Sequence, residues 1–148
     1  MKVAIVGGPG IGKSTLVRQL GDLYHDGSYG EGEKGVWDPR VLEDIEAGRN
    51  PVAVTAYFAA LYDANYQSAA AHDGPDKVIF FEGARITLEA HIAEYPPQHH
   101  EALRRVAAQG DAWGPDRVIV LTSSTDTIEN HILRRNRPHE DVVSFQCQ

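Results

Sequence analysis

With 148 residues, of which 42% are hydrophobic and 24% charged, the chain has the composition of an ordinary folded domain, which excludes disordered and fibrous classes. A formal net charge of −7 argues against a broad basic footprint for nucleic acid. The single Cys147 permits no internal disulfide, and no apolar run approaches the roughly 18 residues of a membrane span. The first apolar run follows Met1 so closely that no cleaved leader is expected, so the chain reads as one cytoplasmic domain over residues 1–148 with no membrane partner.

The first predicted strand, Val3-Ala4-Ile5-Val6, runs directly into Gly7-Gly8-Pro9-Gly10-Ile11-Gly12-Lys13-Ser14. That segment satisfies G-x-x-x-x-G-K-[ST] at every specified position, whereas no G-x-G-x-x-G dinucleotide fingerprint can be read. Glycine is required because side chains would block the convergence of backbone N–H groups on phosphate oxygens. A helix beginning near Lys13 adds the positive end of its dipole. Gly8, Gly10, Ile11, Gly12, Lys13, Ser14 and Thr15 are therefore the expected binding residues for ATP. Lys13 would reach the β/γ-phosphates, and Ser14, rather than Thr15, would ligate Mg²⁺.

Periodicity predicts a helix over Ser14–Leu20, with Leu16, Val17 and Leu20 inward and Gly21 stopping it. A short strand is expected around Ser28–Glu31. Asp38-Pro39 pairs an N-cap with proline at the first helical position, opening a helix through Ala47. Asn50-Pro51 repeats the signal for a long alanine-rich helix reaching Ala71. Val78-Ile79-Phe80-Phe81 is a continuous apolar run of the kind buried on both faces of a sheet, and it ends on Glu82. Helices follow over Thr87–Glu94 and Gln98–Gln109, then a second buried strand, Val118–Leu121, and a last helix from Ser124 or Thr125 to Arg135. Apolar strands alternating with helices predict an α/β fold of three layers, a parallel central sheet flanked by helices. Ligands of such sheets lie beyond the carboxyl ends of the strands, where Gly7, Glu82 and Thr122 would meet.

Glu82 fits a carboxylate placed near the magnesium and an acceptor hydroxyl. It could serve as a general base or as an anion that orients water on the metal. Arg85 is close enough in sequence to clamp that carboxylate or a substrate phosphate. Arg134, Arg135 and Arg137 concentrate cationic donors on a lid segment near 134–141, able to stabilise charge on a migrating phosphoryl group. Tyr57, Phe58, Leu61, Tyr62 and Tyr66 form an aromatic-rich stripe that reads as core, with Tyr57 and Phe58 the exceptions suited to stacking on a nucleobase. The histidines show no zinc spacing, so Mg²⁺ is the one metal expected.

Taken in order, these residues resemble the deoxynucleoside kinases and, more loosely, the nucleoside monophosphate kinases of the same fold. Glu33 ahead of Trp37 is similar to that family's acidic residue before tryptophan, and Asn50-Pro51 to its aspartate-proline pair. Glu82 corresponds to the catalytic base that opens a Glu-Arg-Ser motif, and Arg135, Arg137 and Glu140 to the lid pattern R-x-R-x-x-E. The resemblance implies a three-layer P-loop kinase fold and a kinase acting on a nucleoside or nucleotide, with Glu33, Trp37, Tyr57, Phe58 and Arg85 on the substrate and Lys13, Glu82, Arg135 and Arg137 catalytic. Two departures stand out: Ala59 falls near the family's base-reading glutamine, and Gly83 takes the place of arginine. Family members continue past the lid with a helix and fifth strand, so the chain reads as truncated, compact or missing a segment. Homodimerisation is compatible with this reading. Phosphorylation of a nucleic-acid hydroxyl is a second reading, disfavoured by the net charge, and an NTP-hydrolysing switch a third.

Overall fold

The computed structural model describes residues 1–8, 10–24, 28–29, 38–109 and 114–135. Four parallel strands, β1 (Lys2–Val6), β2 (Ser28–Tyr29), β3 (Ile79–Glu82) and β4 (Arg117–Val120), form one sheet in the order β2-β3-β1-β4. Among the described residues the helices are α1 (Lys13–Tyr24), α2 (Pro39–Glu46), α3 (Pro51–Ala71), α4 (Arg85–Ala93), α5 (Pro97–Ala107) and α6 (Thr125–Arg135).

Side-chain alternation along β1 and β3 sorts the core into two layers. Val3, Ile5 and Phe80 meet Val17 of α1, with Leu16 and Leu20 packed against them. Ala4, Val6, Ile79 and Phe81 meet Ala69 of α3, with Tyr66 against them and its ring 6.0 Å from that of Phe81. The two faces of one sheet are thus covered by α1 and α3, giving the expected three layers. A further cluster, Ala59, Tyr62, Leu88, Ile92, Leu103 and Ala107, binds α4 and α5 to the outer side of α3.

Several sequence expectations need correction. Gly21 does not stop α1, which continues to Tyr24. Gly21 is buried four residues after the buried Val17, so it lies on the packed face, and tertiary burial outweighs a propensity cost of about 1 kcal/mol. Asp38 does cap α2, accepting from Arg40 N at 2.9 Å. Asn50, by contrast, makes no side-chain cap: it sits in the left-handed region at φ 49°, ψ 48°, and its Nδ2 donates to Asp44 Oδ2 at 2.9 Å. Helix α4 begins at Arg85 rather than Thr87.

The second apolar strand differs most from expectation. Val118, Ile119 and Val120 of β4 are 43%, 40% and 60% exposed rather than buried. Among the described residues β4 pairs with β1 alone, at the edge of the sheet, and its apolar character does not lead to burial there. An open groove of about 370 Å³ runs along this flank, lined by Met1, Val3, Tyr24, Phe80, Arg117 and Ile119 and remote from the glycine-rich loop. No helix among the described residues is long and apolar enough to cross a membrane.

At the amino-terminal end of the sheet, Lys2 Nζ binds Asp73 Oδ2 at 2.6 Å. This hydrogen bond, with one from the chain's amino group, lowers the Asp73 carboxyl from 3.8 to about 2, and Asp73 in turn raises the Lys2 ammonium. The depressed carboxyl stabilises the fold above about pH 4, and that contribution disappears as pH falls towards about 2. Asp73→Asn should therefore lower the thermal midpoint slightly at neutral pH, with the difference from the parent vanishing between about pH 4 and 2 in an acid series. Phe81, fully buried between β1 and α3, should cost about 3–5 kcal/mol of unfolding free energy in denaturant titration when changed to Ala.

Candidate functional site

The phosphate loop joins β1 to α1, so strand, turn and helix follow one another as the motif requires. Gly10 has φ +74°, and a Cβ there would lie 2.9 Å from Ile132 Cγ1 of α6. A side chain at that position would meet both backbone strain and a packed helix. His131, one residue earlier on α6, bonds through Nδ1 to the Gly10 carbonyl at 2.9 Å. α6 therefore backs the loop, with Ile132 buried to 1% exposure. The first N–H groups of α1 have no partners earlier in the helix and, with the dipole, make its start suited to an anion.

Glu82 ends β3 on the same face as Ile5, the face that α1 covers, because the two residues are register partners in a parallel pair. Its side chain is buried, at 3% exposure, and is fixed from α1 by two groups. Ser14 Oγ donates to Glu82 Oε2 at 2.7 Å, and Lys13 Nζ lies 3.7 Å from Glu82 Oε1 while donating to the Gly8 carbonyl at 3.0 Å. A carboxylate this deep would be strongly destabilising without such partners. The sequence separates Ser14 from Glu82 by 68 positions, and the fold brings them into direct contact. The oxygens of Ser14 and Glu82 form a hard donor set beside the cradle, which suits Mg²⁺. Thr15, one residue along α1, is exposed.

Helix α3 runs antiparallel to β3, since Asn65 lies at Glu82 while Ala69 packs on Ile79 nearer the strand's start. Tyr57 and Phe58, seven or eight residues before Asn65, consequently project about 10 Å past the strand ends, into the space beyond the carboxyl edge. Both are partly buried. Phe58 packs 6.2 Å from Tyr62 and edge-on to His91 at 6.0 Å, between ring centroids, and burial lowers the pKa of that histidine. Tyr62 is core, as the stripe suggested, while Tyr66 and Phe58 are partly buried and pack against the core clusters.

Arg85 stands at the first position of α4, exposed, with no hydrogen bond or ion pair among the described residues. It does not clamp Glu82, whose side chain is turned towards α1 instead. Arg135 ends α6, and nothing is described of its side chain; Glu33, Trp37, Arg137 and Glu140 lie outside the described residues.

Three contacts were not foreseen. Asn65 Nδ2 donates to the main-chain carbonyl of Glu82 at 3.3 Å. Gly83 adopts φ +83°, and a Cβ there would lie 2.3 Å from the Tyr62 ring. That overlap explains why no arginine follows Glu82: the ring of Tyr62 fills the space. His131 on the loop carbonyl is the third. The signals available were slight: Asn65 is one of two amides, with Gln67, in an alanine-rich helix, and His131 lies just ahead of an arginine cluster.

No protein-family model matches the chain, and no curated protein matches its sequence. Solved structures do match. The chain is similar to deoxyadenosine kinase from M. mycoides with bound dATP, at a TM-score of 0.68 and 18% identity over 94% of this chain and 73% of that one. The same enzyme with products dCMP and dCDP gives a TM-score of 0.67 at 18% identity, again over 94% and 73%. With bound dCTP it gives 0.63 at 17%, over 94% and 72%. With its parallel sheet between α1 and α3 and its glycine-rich loop after β1, the chain has a three-layer α/β fold of the P-loop deoxynucleoside kinase kind.

Proposed function

We propose that the chain is a phosphotransferase that moves the γ-phosphoryl group of ATP to a deoxynucleoside or a (deoxy)nucleoside monophosphate. The observation that carries this reading is the buried Glu82 carboxylate in contact with both Ser14 and Lys13 of the phosphate loop. The names and ligands of the similar structures support it, since those are deoxyadenosine kinases holding dATP, dCTP or dCMP with dCDP.

In this reading the loop N–H groups and Lys13 hold the phosphates, and a cation bound by Ser14 with Glu82 nearby would neutralise charge building on the β- and γ-oxygens. Glu82 divides its two oxygens. Oε2 faces Ser14, while Oε1 takes the proton of the acceptor hydroxyl as its oxygen bonds to the γ-phosphorus and the bond to the β-phosphate oxygen breaks, releasing ADP. Tyr57, with the partly buried Phe58 behind it, offers a face to a nucleobase past the strand ends, and the exposed Arg85 offers a cation to an acceptor phosphate. The lid arginines Arg135 and Arg137 would close over the migrating group.

The test is a screen of nucleosides, monophosphates and oligonucleotides with labelled ATP. Transfer should require an added nucleoside or monophosphate; turnover of ATP alone, or labelling of oligonucleotides only, would overturn the proposal. Lys13→Ala should abolish transfer with the fold retained by circular dichroism. Glu82→Gln can keep the contact with Ser14 but cannot accept the proton, so kcat should fall by about 10²–10⁴. An unchanged kcat would remove its role as base.

A further inference from the structure

We infer that His131 of α6 is a positioning residue for the glycine-rich loop, keeping the Gly10 carbonyl turned out of the anion cradle; the inference rests on the reading of that loop as the one that holds the phosphates. A carbonyl oxygen facing bound phosphates would repel them, so the loop's carbonyls need partners elsewhere. Two are met from within the loop and its own helix: Gly8 accepts from Lys13 Nζ at 3.0 Å, and Gly12 from Leu16 N at 3.0 Å in the first turn of α1. The Gly10 carbonyl is met from outside, by His131 Nδ1 at 2.9 Å, across 121 positions of sequence. A carbonyl can only accept, so Nδ1 carries the proton.

Glycine makes such a partner necessary at this point. Gly10 and Gly12 flank Ile11 at φ +74° and +96°, and the freedom that admits those angles also lets the peptide between Gly10 and Ile11 rotate. No described peptide bond is cis, so with the Gly10 carbonyl on His131 the Ile11 N–H points the opposite way, off α6. Reversing that peptide would take one donor from the cradle and present a carbonyl in its place. α6 also meets Gly10 by contact, since a Cβ there would lie 2.9 Å from Ile132 Cγ1 and 3.3 Å from the Ile128 carbonyl. Those contacts set how near the loop stands to the helix, whereas the hydrogen bond selects which way the peptide faces. The bonds to the two carbonyls also differ in permanence. Lys13 would be drawn from Gly8 towards a bound polyphosphate, while His131 approaches Gly10 from the α6 side and keeps its bond.

Residue 131 is exposed, so substitutions there leave the core closed. His131→Leu keeps bulk but lacks a donor, whereas His131→Asn can place an amide N–H where Nδ1 stands. Binding is read by calorimetry on the whole chain with Mg²⁺ and ATP, and separately with Mg²⁺ and inorganic tripolyphosphate, with thermal unfolding alongside. His131→Leu should weaken binding about threefold to tenfold, the worth of one hydrogen bond, and by the same factor for both ligands. His131→Asn should bind both within about twofold of the parent. His131→Met takes the place of the leucine variant if that chain does not fold. Parent-like binding by the leucine variant, equal losses in the leucine and asparagine variants, or a loss with ATP but not with tripolyphosphate would overturn the inference; the last result would put His131 on the nucleoside instead. A parent chain that binds neither ligand would overturn the reading of the loop itself, and that failure is seen without any substitution.

Discussion

A carboxylate buried at the end of a central strand needs partners, and the arrangement of the site follows from where Glu82 finds them. Its charge is met by a serine and a lysine that belong to the phosphate-loop motif, so the same contact that makes burial tolerable ties the second central strand to the glycine-rich loop. Isolated in an apolar interior, that charge would favour protonation or exposure. Here it is balanced by groups whose alternative partners are a metal and a polyphosphate. On the proposed function, binding those partners would exchange one set of electrostatic contacts for another without refolding a strand.

The scaffold around that contact is arranged in tiers. α1 and α3 cover opposite faces of β1 and β3, and each delivers something to the turn where both strands end: α1 the loop serine and lysine, α3 an amide and an aromatic ring. α6 approaches from a third direction, with His131 on a loop carbonyl and Ile132 against the glycine that must stay bare. The helix leading to the arginine-rich segment is thus packed on the element that would hold the phosphates. β4, at the edge of the sheet among the described residues, retains exposed apolar side chains.

How much of this was legible depended on whether the signal was local. The strand–glycine-rich turn–helix order could be read from the motif's fixed spacing, and the apolar run ending in Glu82 put a carboxylate at the carboxyl end of a strand. The Asp38-Pro39 start of α2 was equally local, with the cap and the proline acting within one turn. Signals of the same kind misled where tertiary packing decided the outcome. Gly21 looks like a stop but is a packing position, and Asn50 looks like a cap but bonds Asp44 from a left-handed backbone. β4 looks like a buried strand, but among the described residues its place in the sheet order puts it at the edge. The contacts of Asn65, Tyr62 and His131 with Glu82, Gly83 and Gly10 span 17, 21 and 121 positions, and no periodicity encodes such distances.

The central claim is that the loop after β1 and the carboxylate after β3 form one site for a metal–nucleotide pair. Isothermal titration calorimetry with ATP, in the presence of Mg²⁺ and then of a chelator, tests it most directly. A single saturating site per chain that weakens markedly when the cation is withdrawn is the predicted result; the absence of any heat of binding with Mg²⁺ and ATP present would contradict the account.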